Sequence, residues 1–374
     1  MRVACVSHGS IVALNRRPFD LLAERHAVAL TVIVPERWPG DLPDPDIRFE
    51  PAAGGATSVA LPARAAGNGT LFTLRGLGRA IVAARPDLVL LDEEPWSLVA
   101  WQTLRAAPPV PLVVYSKQNL AKRLPPPFRW IRGACYRRAT RAWAVGATTA
   151  EVLRATGFQR PVDVIPHGVE VTRFQPGRDE ARRAALGLRG VVIGYAGRFV
   201  AEKGLDDLLE AARRLPGDIP FTVVLVGSGP REAALRRAAA EGPLAGRLVV
   251  LPAVPHEEAP GLYRLMDVFV LPSRSTPRWR EQFGRALVES AATAVPVVAY
   301  DSGEIPNVMR ALGCGTLVRE GDVAGLADAI AAFVADEGRR RTVGQAGLAA
   351  ARAGFAQEAI ADRMAAALRL AAGS

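Results

Sequence analysis

Short apolar runs of strand length recur along the whole chain, and segments with helical spacing separate several of them. Strands that alternate with helices are typical of a parallel sheet that carries helices on both faces. The pattern therefore predicts the α/β class. The predicted strands are 2–6, 29–34, 88–91, 112–115, 142–145, 162–165, 191–196, 221–226, 248–251, 268–271, 296–299 and 315–318.

The alternation is interrupted at residues 167–177 and begins again in the second half of the chain. A chain of 374 residues is long enough for two domains that each bury a core. We predict an N-terminal domain over residues 1–172, a C-terminal domain over 173–356, and a last helix over 357–374. Each domain is expected to contain its own parallel sheet.

The remaining segments differ in composition. Segment 35–69 is rich in Pro, Gly and Asp, which predicts mostly loop with one strand near 47–49. The Ala- and Arg-rich segment 323–371 has helical spacing throughout. The other predicted helices are 73–84, 149–156, 204–214, 230–241, 257–265 and 284–294.

Residues 281–304 read EQFGRALVESAATAVPVVAYDSGE and combine two carboxylates with the start of a helix. Glu281 is predicted to end a loop, and Glu289 to lie about two turns along the helix that follows. At 3.6 residues per turn, their eight positions correspond to about 800°, so both side chains would lie within about 80° of one face. The first backbone amides of a helix are unpaired and attract anions. Hydroxyl-binding carboxylates beside such a helix start would suit a phosphorylated sugar.

Three further segments precede this one: GYAGRFVAEKGLDDLLEAARRL at 194–215, VVLVGSGP at 223–230 and LYRLMDVFVLPS at 262–273. In this order, the four segments resemble family 4 glycosyltransferases of the GT-B fold, over most of residues 190–310. The resemblance implies two Rossmann-like domains whose parallel sheets face each other across a cleft. It also implies a last helix that returns to the N-terminal domain, acceptor binding by that domain, and nucleotide-sugar binding by the C-terminal domain.

The resemblance implies roles for individual residues. Glu281 would accept hydrogen bonds from the donor sugar, and Glu289 would bind the ribose hydroxyls. Arg198 and Lys203 would neutralise the diphosphate leaving group in place of a metal, so we expect no cofactor and no obligatory metal. Trp279 is a candidate for stacking on the sugar. Further donor contacts are expected from Gly197, Gly227, Gln282, Phe283, Gly284, Arg285 and Ala286.

The N-terminal half departs from the family in two places. Many members carry a Gly-Gly loop after the first strand, where this chain has only Gly9. Many also carry a His after a strand like 112–115, where this chain reads YSKQNL and has no His. His26 and His256 are predicted to lie at the surface. The acceptor-side candidates could serve the fold instead, through structural hydrogen bonds or helix capping. They are His8, Glu93, Glu94, Lys117, Gln118 and Asn119.

Residues 95–150 contain no Asp or Glu, and from Pro127 onward their spacing fits an amphipathic basic helix. Such a helix would give the stretch 117–141 a surface for an anionic membrane or a lipid-phosphate acceptor. Solvated arginines in an Arg-rich chain would produce the same pattern. No nucleic-acid-binding motif accompanies it, so nucleic acid is not expected as a partner.

Composition limits the other possibilities. The formal net charge of +10 comes mostly from arginine, since the chain has only three lysines. No apolar run is long enough for a membrane span, and the first residues read as a strand and not as a signal peptide. The three cysteines are too scattered for a disulfide framework. We therefore expect a cytoplasmic protein, either free or peripheral on the inner face of the membrane.

The resemblance implies a retaining enzyme that moves a hexosyl unit from a nucleotide-diphosphate sugar to an acceptor hydroxyl. The expected acceptor is a growing cell-surface polysaccharide or a glycolipid. The alternatives are a nucleotide-sugar epimerase of the same fold and an enzyme that glycosylates a small-molecule natural product. A phosphorylase or a sugar-nucleotide sensor fits less well, because no cofactor-binding lysine is evident and the donor-site residues are intact.

Overall fold

A computed structural model describes residues 1–40, 46–51, 54–217 and 219–373. The chain forms two compact units, and the division lies between Gly168 and Val169. The first unit takes up the chain again at Gln357, and the second unit ends at Ala356. The sequence predicts the first boundary after residue 172.

The chain contains two groups of strands, one in each unit. In the first unit they are β1 (Arg2–Val6), β2 (Ala29–Pro35), β3 (Arg37–Trp38), β4 (Ile47–Arg48), β5 (Thr57–Leu61), β6 (Ala63–Arg64), β7 (Thr73–Leu74), β8 (Leu88–Leu91), β9 (Leu112–Ser116), β10 (Arg141–Ala144) and β11 (Val162–Val164). In the second unit they are β12 (Val191–Ala196), β13 (Phe221–Val226), β14 (Leu248–Leu251), β15 (Val268–Leu271), β16 (Val297–Tyr300) and β17 (Gly315–Val318).

Helices follow most of the longer strands. They are α1 (Ala13–His26), α2 (Leu77–Ala83), α3 (Leu98–Ala106), α4 (Phe128–Arg138), α5 (Ala147–Ala155), α6 (Glu180–Ala185), α7 (Leu205–Arg213), α8 (Glu232–Glu241), α9 (Ala259–Tyr263), α10 (Arg285–Ala292), α11 (Ile305–Leu312), α12 (Val323–Ala335), α13 (Glu337–Gly354) and α14 (Gln357–Ala372). Short 3₁₀ turns occupy Gly9–Ile11, Ala201–Lys203 and His256–Glu258. No helix among the described residues is both long and apolar enough to cross a membrane.

The first unit is built on a seven-stranded sheet in the order β11-β10-β9-β8-β1-β2-β5, in which all neighbours are parallel. In the centre, Val3 is paired with Leu30 on one side and Leu88 on the other. Strands β8 and β9 are buried throughout, as expected for strands covered by helices on both faces. Their carboxyl ends and that of β1 lie at the same edge of the sheet.

Two predictions for the first unit need correction. Strand β5 lies within segment 35–69, which the sequence predicts to be mostly loop, and it forms the sheet edge beside β2. Residues 41–45 and 52–53 of that segment lie outside the described residues. The helix predicted over 73–84 begins only at Leu77, because Gly76 precedes it with φ +87° and Thr73–Leu74 form a strand.

The last helix, α14, packs against α1 within the first unit. Its buried side chains Ile360, Met364 and Leu368 are four residues apart and so form one stripe along the helix. At the edge of this contact, His26 Nε2 lies 2.7 Å from Asp362 Oδ1. The predicted return of the last helix to the N-terminal domain is thus confirmed.

The second unit contains a six-stranded parallel sheet in the order β14-β13-β12-β15-β16-β17. Its strands lie within one residue of the predicted positions. The helical segment predicted over 323–371 divides into α12, α13 and α14. The Asp322 side chain accepts a hydrogen bond from Gly325 N and starts α12, and the Asp336 side chain accepts one from Arg339 N and starts α13.

Candidate functional site

Two glycine loops follow β12 and β13 at the carboxyl end of the second unit's sheet. A Cβ atom on Gly227, whose φ is +156°, would lie 1.9 Å from the Gly197 carbonyl oxygen. The loops are joined by hydrogen bonds from Gly197 N to Val226 O (3.0 Å) and from Phe199 N to Ser228 O (2.7 Å). Glycine is therefore needed at position 227 because the two backbones touch.

A buried ion pair joins Lys203, in the turn after β12, to Glu281, in the loop before α10. Lys203 Nζ donates to Glu281 Oε2 at 2.5 Å, and Ser273 Oγ donates to the same oxygen at 3.1 Å. The two charged side chains are only 14% and 11% exposed. Lys203 Nζ also lies 5.0 Å from the centre of the Trp279 ring. Two of the three predicted catalytic residues, Lys203 and Glu281, therefore form one cluster with the predicted stacking residue Trp279.

The loop position predicted for Glu281 is confirmed, but the helical rotation counted from Glu281 to Glu289 does not hold, because only Glu289 lies on the helix. Helix α10 begins at Arg285, because Gly284 has φ +79° and ends the preceding loop. Glu281 therefore lies outside the helix. Its backbone is held instead by the turn after β16, where Glu304 N donates to Glu281 O at 3.0 Å.

Glu289 lies on the buried side of α10, where Tyr263 at the end of α9 holds it. Tyr263 Oη donates to Glu289 Oε2 at 2.7 Å. Burial and the negative charge of Glu289 raise the pKa of Tyr263 well above its usual value, so the phenol stays protonated. This contact fixes one of the two carboxylate oxygens of Glu289.

His256 is half-buried, whereas the sequence predicts it at the surface. Its ring lies 5.7 Å from that of Phe174, which also packs against Tyr263 at 5.9 Å. Burial lowers the pKa of His256 and outweighs the opposing effect of Glu289, so the imidazole is favoured in its neutral form. His256 thus belongs to the surroundings of Glu289.

The other predicted donor residues are distributed around this cluster. Arg198 is exposed, and its backbone carbonyl accepts a hydrogen bond of 2.9 Å from Tyr195 Oη. Gln282 is exposed, whereas the ring of Phe283 is buried and lies 6.3 Å from that of Phe355. Arg285 and Ala286 are partly exposed in the first turn of α10.

Sequence reasoning missed Tyr263, Ser273 and Tyr195 as partners of the site. All three lie within the segments that carry the resemblance to the family. A tyrosine or serine near a strand gives no local signal of its partner, because the contact joins residues far apart in the chain. Tyr263, for example, is 26 positions from Glu289.

In the first unit, His8 after β1 and Glu93 after β8 form a pair. His8 Nδ1 lies 2.8 and 2.7 Å from the two carboxylate oxygens, and the His8 backbone amide also donates to Glu93. The His8 ring stacks against Trp38 at 4.6 Å and meets the edge of Phe72 at 5.5 Å. Burial opposes protonation, but the charge and hydrogen bond of Glu93 outweigh it and raise the pKa of His8.

The neighbouring carboxylates are also paired. Asp92 accepts hydrogen bonds of 2.6 Å from both Ser7 Oγ and Lys117 Nζ. Glu94 accepts from Ser116 Oγ at 2.7 Å and from Lys117 N at 2.9 Å. Burial raises the pKa of Glu94, and Asp92 overcomes the effect of burial to raise that of Lys117.

These residues surround a cavity of about 260 Å³ at the carboxyl end of the first unit's sheet. Five of the predicted acceptor-side residues line it, together with Asp92, the Gly69–Thr70 segment, and the side chains of Trp96, Tyr115 and Lys122. The sixth prediction, Asn119, is buried and does not line this cavity. The five that do are His8, Glu93, Glu94, Lys117 and Gln118.

The basic stretch forms α4, whose Ile131 and Cys135 are buried while Trp130 is 63% exposed. The predicted amphipathic helix is therefore present. A groove of about 510 Å³ lies beside it. Four arginines line this groove, and none forms an ion pair with any described residue: Arg129, Arg132, Arg137 and Arg160.

Two family models match the chain in succession. The model described as Glycosyltransferase Family 4 matches residues 21–173, and the model described as Glycosyl transferases group 1 matches residues 178–349. Together they cover every strand of the two large sheets except β1, the residues of the Lys203–Glu281 cluster, and the lining of the first unit's cavity except His8.

Several curated proteins are similar to parts of the chain. The D-inositol 3-phosphate glycosyltransferase of Nocardia farcinica is 36% identical over 206 residues, which are 52% of this chain and 44% of that protein. The 2-deoxystreptamine glucosyltransferase of Streptomyces kanamyceticus is 31% identical over 261 residues, 64% of this chain and 65% of that one. A GDP-mannose-dependent alpha-(1-6)-phosphatidylinositol monomannoside mannosyltransferase of Mycolicibacterium smegmatis is 33% identical over 54% of each chain. The chain thus spans between about half and two thirds of the length of these relatives.

Solved structures show the same fold over the full length. Sucrose-phosphate synthase from Thermosynechococcus elongatus superposes with a TM-score of 0.74 at 22% identity and covers 100% of this chain and 99% of that one. The Anabaena protein HepE in complex with UDP also has a TM-score of 0.74, at 18% identity, and covers 99% of this chain and 100% of its own. At these identities the likeness concerns the fold alone.

Proposed function

This chain belongs to the family 4 glycosyltransferases of the GT-B fold, and we propose that it is a retaining hexosyltransferase that uses a nucleotide-diphosphate sugar. One observation carries the proposal. The buried Lys203–Glu281 pair and the Tyr263–Glu289 pair occur together at the carboxyl end of a parallel sheet, where α/β proteins bind ligands. The binding of UDP by HepE is consistent with such a donor.

The donor would bind through both carboxylates. Lys203 and Ser273 hold Glu281 Oε2, and the carboxylate would accept hydrogen bonds from the sugar hydroxyls. Glu289 would likewise bind the ribose hydroxyls through the oxygen that Tyr263 does not hold. Carboxylates make strong, charge-assisted hydrogen bonds to such hydroxyls.

Phosphate charge would be balanced by protein cations. Lys203 and Arg198 follow β12, and the start of α10 adds backbone amides and Arg285. Positive groups placed where the leaving diphosphate develops charge lower the barrier to its departure. We therefore propose that transfer needs neither a cofactor nor an obligatory metal.

The acceptor would bind in the cavity of the first unit. Its volume of about 260 Å³ suits one ring of an acceptor and not a long oligosaccharide. Such a ring could be the terminal unit of a cell-surface polysaccharide or glycolipid, or it could belong to a small natural product. The relatives include proteins named for each kind of acceptor, a phosphatidylinositol mannoside and 2-deoxystreptamine.

We also propose a cytoplasmic protein that associates with the inner face of the membrane. The groove arginines, which form no ion pair within the described part of the chain, provide positive charge, and the exposed Trp130 on α4 adds an aromatic anchor. Anionic lipids attract such a surface, each basic residue contributing about 1 kcal/mol near the membrane. Sedimentation with anionic vesicles, compared with neutral ones, tests this part of the proposal.

A donor panel tests the enzymatic proposal. GDP-, UDP-, ADP- and dTDP-sugars are compared by thermal shift, with and without EDTA. A ligand present at 100 times its Kd stabilises the folded protein by about 2.7 kcal/mol, which is a readable shift. One nucleotide should stabilise the wild type in EDTA and have little effect on Glu289→Ala.

The product distinguishes the remaining alternatives. With the matched donor and an acceptor, ¹H NMR should show a new glycosidic bond with the anomeric configuration of the donor. An inverted product would contradict retention. Conversion of the free nucleotide sugar into its epimer, without transfer, would instead favour the epimerase.

A further inference from the structure

We propose that the cavity of the first unit recognises a phosphate or carboxylate group on the acceptor. This inference rests on the proposed transferase function, because it assigns an acceptor to that cavity. It adds the chemical class of the acceptor: a small polyol or sugar ring that carries an anionic group. A free sugar phosphate and the headgroup of an anionic lipid share this chemistry.

The carboxylates of the cavity form hydrogen bonds with other groups of the protein. Asp92 and Glu93 are each only 4% exposed. Both oxygens of Asp92 accept hydrogen bonds, from Ser7 and Lys117, and both oxygens of Glu93 lie against His8 Nδ1. Glu94 is satisfied in the same way by Ser116 and the Lys117 backbone. These carboxylates therefore hold neighbouring groups of the cavity wall in place, and their negative charge is balanced within the protein.

The groups that remain available to a ligand are N–H donors. Lys117 gives one of its three ammonium protons to Asp92 and is 31% exposed, so the others can reach a ligand. Lys122 is exposed, and its ammonium forms no ion pair with the residues that the structure describes; it lies 5.8 Å from the Trp96 ring. His8 Nε2 forms no hydrogen bond with any described residue and completes the set.

The placement of lysine supports the same conclusion. The chain has 47 Lys and Arg residues, and only three of them are lysines. Two, Lys117 and Lys122, line this cavity, and the third, Lys203, belongs to the donor cluster. A lysine ammonium is a compact point charge with three donors, whereas the guanidinium that predominates elsewhere in the chain is a planar fork. Lysine occurs here only where an anion is expected.

The shape of the cavity limits the ligand to a small ring. Its volume is about 260 Å³, and the Trp96 and Tyr115 rings form part of its wall. Aromatic faces pack against the C–H face of a polyol ring, and the cations beside them would hold the anionic substituent. Without such a substituent, Lys122 would keep its charge unpaired.

Direct binding to the 374-residue chain tests the inference. Titration calorimetry compares three ligands with one ring and different charge: glucose 6-phosphate, glucose and glucosamine. Charge-assisted hydrogen bonds should make glucose 6-phosphate bind at least about tenfold more tightly than glucose, with glucosamine the weakest. Equal binding of the three, no binding of the phosphate, or preference for glucosamine would overturn the proposal.

A fourth ligand separates the two sources of the anion. Glycerophosphoglycerol is a phosphodiester headgroup without its lipid chains. If it competes with glucose 6-phosphate, the cavity accepts a lipid headgroup; if only the monoester binds, the acceptor is a free sugar phosphate. Either result supports an anion-recognising cavity.

Three variants test whether the phosphate binds in the cavity of the first unit. Lys122→Met should reduce the preference for the phosphate about tenfold, because it removes one charge without leaving a buried carboxylate unpaired. Arg123→Met is the matched control, since it removes an exposed charge one position away that does not line the cavity. Lys203→Met should keep the preference, which excludes binding at the donor cluster.

The donor panel keeps the two proposals distinguishable. Lys122→Met should retain the wild-type thermal shift with the matched nucleotide sugar. Donor binding without any preference for the phosphate would disprove the anionic acceptor and leave the transferase intact. Loss of donor binding in the wild type would count against the transferase itself.

Discussion

Tyr263 donates a hydrogen bond of 2.7 Å from its hydroxyl to one carboxylate oxygen of Glu289. The tyrosine is buried on α9, and the glutamate, 8% exposed, faces it from α10. Because the phenol stays protonated, it can act only as a donor to this carboxylate. The hydrogen bond therefore sets the direction in which the second oxygen of Glu289 meets a ligand.

Replacing Tyr263 by Phe should weaken donor binding more than it slows transfer. The variant keeps the ring in the core but leaves a buried oxygen of Glu289 without its partner, which costs about 1–3 kcal/mol. We expect KM for the nucleotide sugar to rise about tenfold while kcat stays within a factor of about three. Steady-state kinetics measures both constants. A fall in kcat at constant KM would show that Tyr263 does not position the donor.

Removing Lys203 should affect catalysis strongly. Lys203→Met deprives Glu281 of its buried partner and the leaving group of a cation, so we expect kcat to fall about 100-fold or more. Lys203→Arg should restore only part of the rate, because the planar guanidinium does not fit a site shaped for an ammonium. Arg213→Met is the control, since Arg213 forms an exposed ion pair with Glu210 on α7. Similar kcat values for Lys203→Met and Arg213→Met would contradict the assignment.

The fold could be predicted from the sequence because its parallel strands are short, buried and almost wholly apolar. Val223, Val224 and Leu225, for example, are buried on both faces of the sheet, and their run is unambiguous. Strand β5 was missed because it is an edge strand whose residues are only half-buried, so its composition resembles that of a loop. Helix α1 gave little apolar signal because Arg16 and Asp20 lie on its buried face.

Lys203, Glu281 and Glu289 could be singled out from the sequence, but their arrangement could not be predicted. Gly284 was expected to let the backbone approach a ligand, and in the structure its positive φ also ends the loop that contains Glu281. Because Glu281 lies in this loop, helical rotation does not set its direction relative to Glu289. The pairing of His8 with Glu93 could not be predicted either, because the two residues follow adjacent strands and are 85 positions apart in the chain.

The His8–Glu93 pair should make stability depend on pH. Because the pKa of His8 is raised above 6.5 in the folded protein, the pair stabilises the fold fully below about pH 6.5 and loses this effect as pH rises through the raised pKa. Urea unfolding of wild type and His8→Gln should therefore differ most at low pH and converge at high pH. In a Glu93→Gln background, the pH dependence of this difference should disappear. A difference that grows with pH would contradict the pairing.

A methyl group at Gly227 should disrupt the contact between the two glycine loops. The new Cβ would lie 1.9 Å from the Gly197 carbonyl oxygen, so the loops must separate. We expect Gly227→Ala to lower the free energy of unfolding by about 3 kcal/mol and to abolish donor binding. Gly217→Ala is the control, since its new Cβ would have no atom of a described, non-neighbouring residue within 4 Å, and it should change stability by less than about 0.5 kcal/mol. Equal stability of the two variants in urea would disprove this contact.

Release of nucleoside diphosphate from the matched nucleotide sugar, in the presence of EDTA, tests the central claim most directly. The account predicts that the wild type turns the donor over without added metal. Glu281→Gln should do so about 100-fold more slowly, because it loses the charge that pairs with Lys203. Failure of the wild type to release nucleoside diphosphate from any of the donors, or an equal rate in Glu281→Gln, would contradict it.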